Sequence, residues 1–353
     1  MAGLTPLERL TLVLIAALSA LAGVADHGSW APVPRFALAT LALAGLAWVV
    51  SFATEQLGER FGPGVTGILQ STLGNLPELF VVIFALKAGE LVVAQTAIVG
   101  SILANALLVL GLVIVVGARR SPDRTMRFSK RLPRDTATLL LVTVFIIVLL
   151  GLSLAAHDPA SHHVETVSAV GAVCLLVVYM AWVVPYLRSD TKKPPEGYRG
   201  PRLGLGLTLW LLLLSGGASA FVSDWFVNGL APAIAVLNLS QAFAGLVIVA
   251  IAGNAVENVA GLVLAYKRRS DLAISVVKNS VAQIAAFLFP LLVLVSFALS
   301  TQLTFALAPV YIGALALTAL SIWQVTGDGE AAEFEGWALV ALYVILATIT
   351  LYE

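Results

Sequence analysis

The pentapeptide Gly-Asn-Leu-Pro-Glu at residues 74–78 recurs as Gly-Asn-Ala-Val-Glu at residues 253–257, an offset of 179 positions. At the same offset, Ser101 in the segment VGSILAN corresponds to Ser280 in the segment KNSVAQI. In each copy the serine follows the glutamate by 23 residues. One such match is weak, whereas two copies with a second polar residue at equal distance indicate an internal repeat.

The composition around these motifs is that of a membrane protein. Of the 353 residues, 59% are hydrophobic and only 11% are charged, whereas soluble domains carry about a quarter charged residues. There is too little charge to cover a water-exposed surface, so lipid must surround most of the chain. The net charge is zero, which gives no basic field for nucleic acid.

Apolar runs of about 20 residues are long enough to cross a bilayer as helices. Their positions predict an all-α integral membrane protein with about eleven transmembrane helices. The segment 224–239 either extends the seventh helix past a kink or forms a separate short helix. The predicted helices lie at residues 7–25, 35–55, 62–87, 91–117, 135–155, 164–187, 203–222, 240–266, 271–299, 303–323 and 335–352.

The basic residues predict the orientation of these helices. Fifteen of the twenty lysines and arginines lie in the loops at residues 119–134, 188–202 and 267–269. All three loops fall on one side of an eleven-helix topology, which the positive-inside rule makes cytoplasmic. We therefore expect a cytoplasmic N-terminus and an outward C-terminus, in the plasma (inner) membrane of a prokaryote. The alternative role for these basic loops is binding of anionic lipid.

The two motifs lie on the third and eighth predicted helices, five helices apart, so they run in opposite directions through the membrane. This predicts an N-terminal helix (residues 1–30) followed by two inverted five-helix repeats (residues 34–187 and 203–353). A cytoplasmic linker at residues 188–202 joins the repeats. Inverted repeats of this kind place a substrate site near the middle of the membrane, where broken helices meet.

Glu78 and Glu257 are the acids that lie deep within predicted helices, where an ionised carboxylate costs about 2.5–3.5 kcal/mol. A bound cation or proton can offset that cost. Asn75 and Asn254 precede the glutamates by three residues and share their helix faces. An all-oxygen site suits a hard cation such as calcium or manganese. When the cation leaves, two close carboxylates bind protons instead. The alternative is that protonated glutamates hold the bundle together by hydrogen bonds.

Most of the chain from about residue 40 onward resembles the calcium/proton exchanger (CAX) family of the calcium:cation antiporter superfamily. The resemblance rests on GNLPEL with VGSILANALLVLG, on LSQAFAGLVIVAIAGNAVENVA with SVVKNSVAQIAAF, and on the C-terminal GDGEAAEFEGWALVALYVILATITLYE. It implies that the two glutamates are the central cation ligands. The further ligands that it implies are Asn75, Asn254, Ser101, Ser280 and Gln283.

Some residues depart from the family pattern. Asn258 stands where the family often has histidine, and Lys278 and Asn279 replace a small apolar residue and glycine. We expect Lys278 to extend to the cytoplasmic surface; the alternative is that it reaches the site and displaces a positive charge. Ile284 stands where sodium/calcium exchangers usually supply a further acid, which favours protons over sodium as the counter-ion.

The predicted function is secondary antiport of Ca2+, or a similar divalent cation, against protons by alternating access. The alternatives are a sodium/calcium or sodium/proton exchanger of the same superfamily, or a cation channel. Cations and protons are the expected substrates, and lipid is the expected surroundings. No nucleotide-binding glycine pattern or catalytic triad is recognisable, so we expect neither an enzyme nor a cofactor.

Overall fold

Nine helices in the described part of the chain are long and apolar enough to cross a membrane, and a bent pair at residues 241–266 adds a tenth. The computed structural model describes residues 3–28, 30–61, 73–129, 131–190 and 201–353. These ten correspond to ten of the predicted helices. For the remaining one, residues 62–72 lie outside the described residues and the rest contains the helix Leu76–Lys87. The chain is an all-α integral membrane protein, and the total of eleven helices stays a prediction.

The α-helices are, in chain order, α1 Pro6–His27, α2 Pro32–Phe61, α3 Leu76–Lys87, α4 Leu91–Leu103, α5 Leu110–Arg119, α6 Arg131–Ala156, α7 Val164–Asp190, α8 Leu205–Leu237, α9 Gln241–Phe243, α10 Ala250–Gly253, α11 Ala255–Tyr266, α12 Ser270–Gln283, α13 Phe289–Ser296, α14 Pro309–Thr326 and α15 Glu333–Leu351. Two short strands are β1 Thr125–Arg127 and β2 Glu330–Ala332, and a 3-10 turn spans Pro159–His163. The ambiguous segment 224–239 extends α8, so it does not form a separate helix. Of the predicted linker, residues 191–200 lie outside the described residues.

Local sequence explains where several helices begin and end. At the start of α1, the Thr5 hydroxyl accepts the Glu8 backbone N–H at 3.2 Å, and the Glu8 carboxylate accepts the Thr5 N–H at 2.8 Å. This capping box satisfies two donors that a helix start leaves open. Helix α8 ends at Leu237, and the capping residue Asn238 has a left-handed φ of 53°, a conformation that asparagine tolerates better than most residues.

Two compact units alternate along the sequence. The first consists of Met1–Ala88, Met180–Leu239 and Ala252–Val256, and the second of Gly89–Tyr179, Ser240–Ile251 and Glu257–Glu353. In the first unit, α2 packs along α8, where the rings of Phe36 and Phe226 lie 4.9 Å apart. Helix α3 also packs on α8. The boundaries predicted from the repeat remain predictions.

In the second unit, α4 lies against the turn at residues 244–249 with almost no space between the backbones. A Cβ atom on Gly100 would lie 2.4 Å from the Leu246 carbonyl oxygen. Gly111 and Gly336 bring α5 and α15 equally close, since a Cβ on either would lie 2.6 Å from the other's carbonyl oxygen. Small residues allow such approach between helices in lipid, where dispersion forces rather than the hydrophobic effect drive packing.

Three π-helical turns interrupt helices in the described residues, at Ala104–Val109, Ala244–Val249 and Ile284–Leu288. The first begins three residues after Ser101 and the last begins four residues after Ser280. The two turns therefore take nearly the same place relative to the two serines, at the offset seen in the sequence. Single π-helical turns are frequently found at functional sites. Their positions support the internal repeat, whose inverted arrangement stays a prediction.

A small polar cap joins the loop after α5 to the start of α15. Strands β1 and β2 pair antiparallel. Beside them, the Glu333 carboxylate accepts Nε of Arg119 at 2.7 Å and Nη1 of Arg124 at 3.2 Å. Arg127 donates to Asp123 at 2.6 Å, and this hydrogen bond holds the pKa of the Asp123 carboxyl below its usual value. The cap joins two segments of the second unit, since Arg119 and Glu333 lie 214 positions apart in the sequence.

Candidate cation site

The first motif forms the start of α3. Asn75 occupies the position just before the helix, and its carbonyl oxygen accepts the Leu79 N–H at 2.9 Å. Pro77 is tolerated here because the first turn needs no backbone donor. Glu78 therefore lies in the first helical turn, where its side chain is only 2% exposed. The Nδ2 atom of Asn75 is buried and has no hydrogen-bond partner among the described residues.

The second motif interrupts a helix in the same way. Helix α10 ends at Gly253, Asn254 forms a turn, and α11 begins at Ala255. The segments before and after this turn are bent by 60°. Asn254 is buried, and Glu257 lies in the first turn of α11, where it is partly buried. Both motifs thus place asparagine at a helix start and glutamate one turn later.

The first unit brings the two motifs into contact. A Cβ atom on Gly253 would lie 3.9 Å from Cβ of Glu78. The residue before Glu78 is held by α8, because the Ser223 hydroxyl donates to the Pro77 carbonyl at 3.5 Å. Gly253 and Glu78, which are 175 positions apart in the sequence, therefore lie next to each other in the first unit.

The second unit pairs the second glutamate with its serine. The Ser280 hydroxyl donates to Oε2 of Glu257 at 2.6 Å, a short hydrogen bond of the kind that a charged acceptor makes. The 23-residue spacing seen in the sequence therefore corresponds to a direct contact. Ser101 is buried near the end of α4, and Gln283 is the partly buried last residue of α12.

Asn105 is a polar residue of this region that the predicted ligand set omits. It is fully buried in the π-helical turn after α4, and its Nδ2 donates to the Ser101 carbonyl at 2.9 Å. Its Oδ1 atom has no hydrogen-bond partner among the described residues, and the same holds for Oδ1 of Asn258 and Asn279. A buried polar atom that lacks a partner calls for an explanation such as a bound ion or water. In the sequence, Asn105 follows Ser101 by four residues, a spacing that places both on one face of a helix.

Lys278 does not extend to the surface, so that expectation was wrong. Its side chain is only 1% exposed, and Nζ donates to the Thr326 hydroxyl at 2.6 Å. Thr326 is the last residue of α14, and the free carbonyls at a helix C-terminus attract a cation. Because successive helical residues turn by about 100°, Lys278 and Ser280 project from nearly opposite faces of α12.

Every side chain of the predicted ligand set carries an oxygen atom that can bind a cation. Two carboxylates, several amides and two hydroxyls are the ligand types that calcium and related hard cations prefer. Within the described residues, no group of three or more histidine, cysteine or acidic side chains could hold a metal ion.

Comparison with known proteins identifies the family. The sequence model of the sodium/calcium exchanger protein family matches residues 32–185 and 207–352. The vacuolar calcium ion transporter of Schizosaccharomyces pombe is 32% identical over 93% of this chain and 82% of its own length. The Ca(2+)/H(+) antiporter of Synechocystis is 30% identical over 90% of this chain and 91% of its own.

A solved structure agrees with these sequence matches. That of the Ca2+/H+ antiporter protein YfkE superposes with a TM-score of 0.80 at 26% identity, over 98% of this chain and all of the other. The resemblance to calcium/proton exchangers is thereby confirmed. The chain belongs to the sodium/calcium exchanger protein family.

Proposed function

We propose that this protein exchanges Ca2+, or a similar divalent cation, for protons across the membrane by alternating access. The observation that carries the proposal is the contact between the two motifs, in which Gly253 packs against Glu78. Inverted repeats in membrane transporters typically form the substrate site where their broken helices meet. The relatives named as calcium transporters and Ca2+/H+ antiporters support the same cation and counter-ion.

In this mechanism the two glutamates hold either the cation or protons. Glu78 and Glu257 together balance the charge of one divalent cation, and the asparagine amides and serine hydroxyls complete its oxygen shell. When the cation leaves, the carboxylates take up protons, because an ionised carboxylate is costly inside the membrane. Binding of the two substrates is then mutually exclusive, which couples their movements in opposite directions.

Ser280 has a specific part in this exchange. Its hydroxyl donates to the Glu257 carboxylate, which orients that carboxylate and favours its ionised form. Asn75 and Asn254 lie at the starts of the two broken helices, where their amides complement the backbone groups that the breaks expose. We assign Ser101, Gln283 and Asn105 to the same oxygen shell.

The charge pattern supports one orientation of the chain in the membrane. We assign the loops at residues 119–134, 188–202 and 267–269 to the cytoplasmic face, in a prokaryotic plasma membrane, with the N-terminus inside and the C-terminus outside. The protein is a transporter rather than an enzyme and acts without a resident cofactor. Its substrates are a divalent cation and protons.

The test is Ca2+ movement in proteoliposomes that carry an imposed pH gradient. We compare the wild-type protein with Glu78→Gln and Glu257→Gln, and use Glu90→Gln as the control. Glu90 lies just before α4, where it accepts Nε2 of Gln241 at 2.9 Å. We expect saturable, gradient-driven Ca2+ uptake that both site variants abolish and the control retains.

Other outcomes would revise the proposal in distinct ways. Ca2+ movement driven by sodium but not by protons would make the protein a sodium/calcium exchanger. Uptake that neither saturates nor couples to protons would indicate a channel. Unchanged transport in both site variants would mean that the glutamates are structural and that the mechanism is wrong.

A further inference from the structure

The turn between α11 and α12 consists of Lys267, Arg268 and Arg269, which we call the basic turn. The Arg269 N–H donates to the Leu264 carbonyl at 2.9 Å, and the Arg268 N–H donates to the Ala265 carbonyl at 3.0 Å. This pair of hydrogen bonds is a Schellman motif, the common way of ending a helix. The turn is therefore a defined structure that fixes where its three cations lie.

Arg268 occupies a backbone conformation that favours glycine. Its φ is +60°, in the left-handed region, and glycine is the usual residue at this place in a Schellman motif. An arginine here carries a conformational cost that glycine would avoid. Such an outlier is a reason to look for a function of the side chain, and both sequence neighbours of Arg268 are also basic.

Arg120 adds a fourth cation beside the basic turn. Its guanidinium carbon lies 4.7 Å from the centre of the Tyr266 ring, within the range of a cation–π interaction. Tyr266 directly precedes the turn and is 60% exposed. Exposed tyrosines at the ends of membrane helices typically lie among lipid headgroups, so these cations lie at the boundary between membrane and water.

These cations differ in their partners from three arginines at the end of α5 and in the loop that follows it. Arg119, Arg124 and Arg127 each lie within 4.0 Å of a carboxylate. Among the described residues, no carboxylate lies that close to Arg120 or to the basic turn. The neighbouring Asp271 instead accepts the Ser129 N–H at 2.6 Å. In the described part of the chain, no ion pair therefore neutralises the positive charge of this patch.

We propose that Arg120 and the basic turn bind the phosphate group of an anionic phospholipid. Arginine suits a phosphate because its planar donors match the phosphate oxygens. The position at the membrane boundary favours a lipid headgroup over free phosphate, because anionic lipids are concentrated there. The positive-inside rule alone requires only that these residues be basic, and it gives no reason for an arginine at a left-handed position. This site is independent of the proposed transport activity.

The experiment uses the full chain purified in detergent, with bound lipids counted by native mass spectrometry. Mixed micelles supply phosphatidylglycerol as the anionic probe and phosphatidylcholine as the neutral one. The test variant is Arg268→Gly, which suits the backbone and removes one cation. The matched control is Arg124→Gly, because Arg124 also has a left-handed φ of 51° but pairs with Glu333 at 3.2 Å.

We expect the wild-type protein to retain phosphatidylglycerol in preference to phosphatidylcholine. Arg268→Gly should weaken retention about fivefold, since one cation near an anionic membrane surface contributes roughly that factor. Arg124→Gly should leave it unchanged. Combining Arg268→Gly with Arg120→Gln, Lys267→Gln and Arg269→Gln should abolish the preference.

Two outcomes would overturn the proposal. Equal retention by the wild-type protein and both glycine variants would show that lipid binds elsewhere and that the cations only set topology. Displacement of phosphatidylglycerol by millimolar inorganic phosphate would make this a site for free phosphate rather than for lipid. Unchanged thermal unfolding of Arg268→Gly in lipid-free detergent would confirm that any loss of lipid comes from the missing cation.

Discussion

Replacing Ser280 with alanine tests the contact that the structure places at the centre of the second half of the site. The substitution removes the hydroxyl that donates to Oε2 of Glu257 at 2.6 Å. It also removes one oxygen from the proposed cation shell. Because Ser280 is buried, with 2% exposure, water cannot readily take the place of the lost donor.

The size of the effect follows from the kind of hydrogen bond. A hydrogen bond to a charged group contributes about 1.5–3 kcal/mol, which corresponds to about a tenfold to a hundredfold change in an equilibrium constant. Without the donor, the ionised carboxylate loses stabilisation relative to its protonated form. Protons should then compete better, and the apparent KM for Ca2+ should rise by about that factor.

The assay is initial Ca2+ uptake into proteoliposomes at several Ca2+ concentrations, with Ser280→Ala, Ser280→Thr and Ser219→Ala compared with the wild-type protein. Threonine keeps the hydroxyl and should restore most of the affinity. Ser219 is equally buried, but its hydroxyl donates within α8 to the Ser215 carbonyl at 2.7 Å, so its loss should leave the KM unchanged. If Ser280→Ala behaves like Ser219→Ala, the hydrogen bond does not tune the site and the reasoning fails.

Three further predictions concern stability, measured by thermal unfolding in detergent. Gly100→Ala should cost about 1–3 kcal/mol because its Cβ would meet neighbouring backbone, whereas Gly313→Ala, with open space around it, should cost nothing. Thr326→Val should cost about 1–3 kcal/mol because it removes an acceptor from a buried ammonium group, and adding Lys278→Met should recover that loss; no recovery would contradict this account. Because the folded-state pKa of Asp123 is lowered, its ion pair should stabilise at pH 7 and stop doing so as the pH falls through that pKa. Asp123→Asn should therefore destabilise the protein at pH 7 and progressively less as the pH falls, and an effect that does not change with pH would refute the assignment.

The fold could be predicted largely from the sequence because lipid imposes a simple rule. A helix must be apolar over about 20 residues to cross the bilayer, so ten predicted helices coincide with helices of the structure. The sequence left open whether the segment 224–239 continues the seventh helix. The segment contains Pro232, which lies within α8. Proline is tolerated in membrane helices when neighbouring groups make hydrogen bonds to the backbone groups that it leaves unpaired. Hydropathy alone does not show such compensation.

The residues of the candidate site that belong to the internal repeat could be predicted from the sequence. The features that depend on packing between distant helices could not. Glu257 and Ser280 stand at the same offset from Glu78 and Ser101, and this repeat singled them out as a pair. In the structure the two residues form a hydrogen bond. The burial of Lys278 was missed because its acceptor, Thr326, lies 48 positions away on another helix. The π-helical turn that holds Asn105 was missed as well, since its sequence is as apolar as that of an ordinary α-helix.

The contact between Glu78 and Gly253 also has a consequence for how the protein is made. Gly253 leaves the ribosome 175 residues after Glu78, and translation adds about 5–20 residues per second. Glu78 is therefore synthesised on the order of ten seconds or more before the segment that contains Gly253. During this time α3 must be sheltered by the insertion machinery or by a proton on its glutamate. The rate of biogenesis should thus be sensitive to changes that lengthen translation between the two motifs.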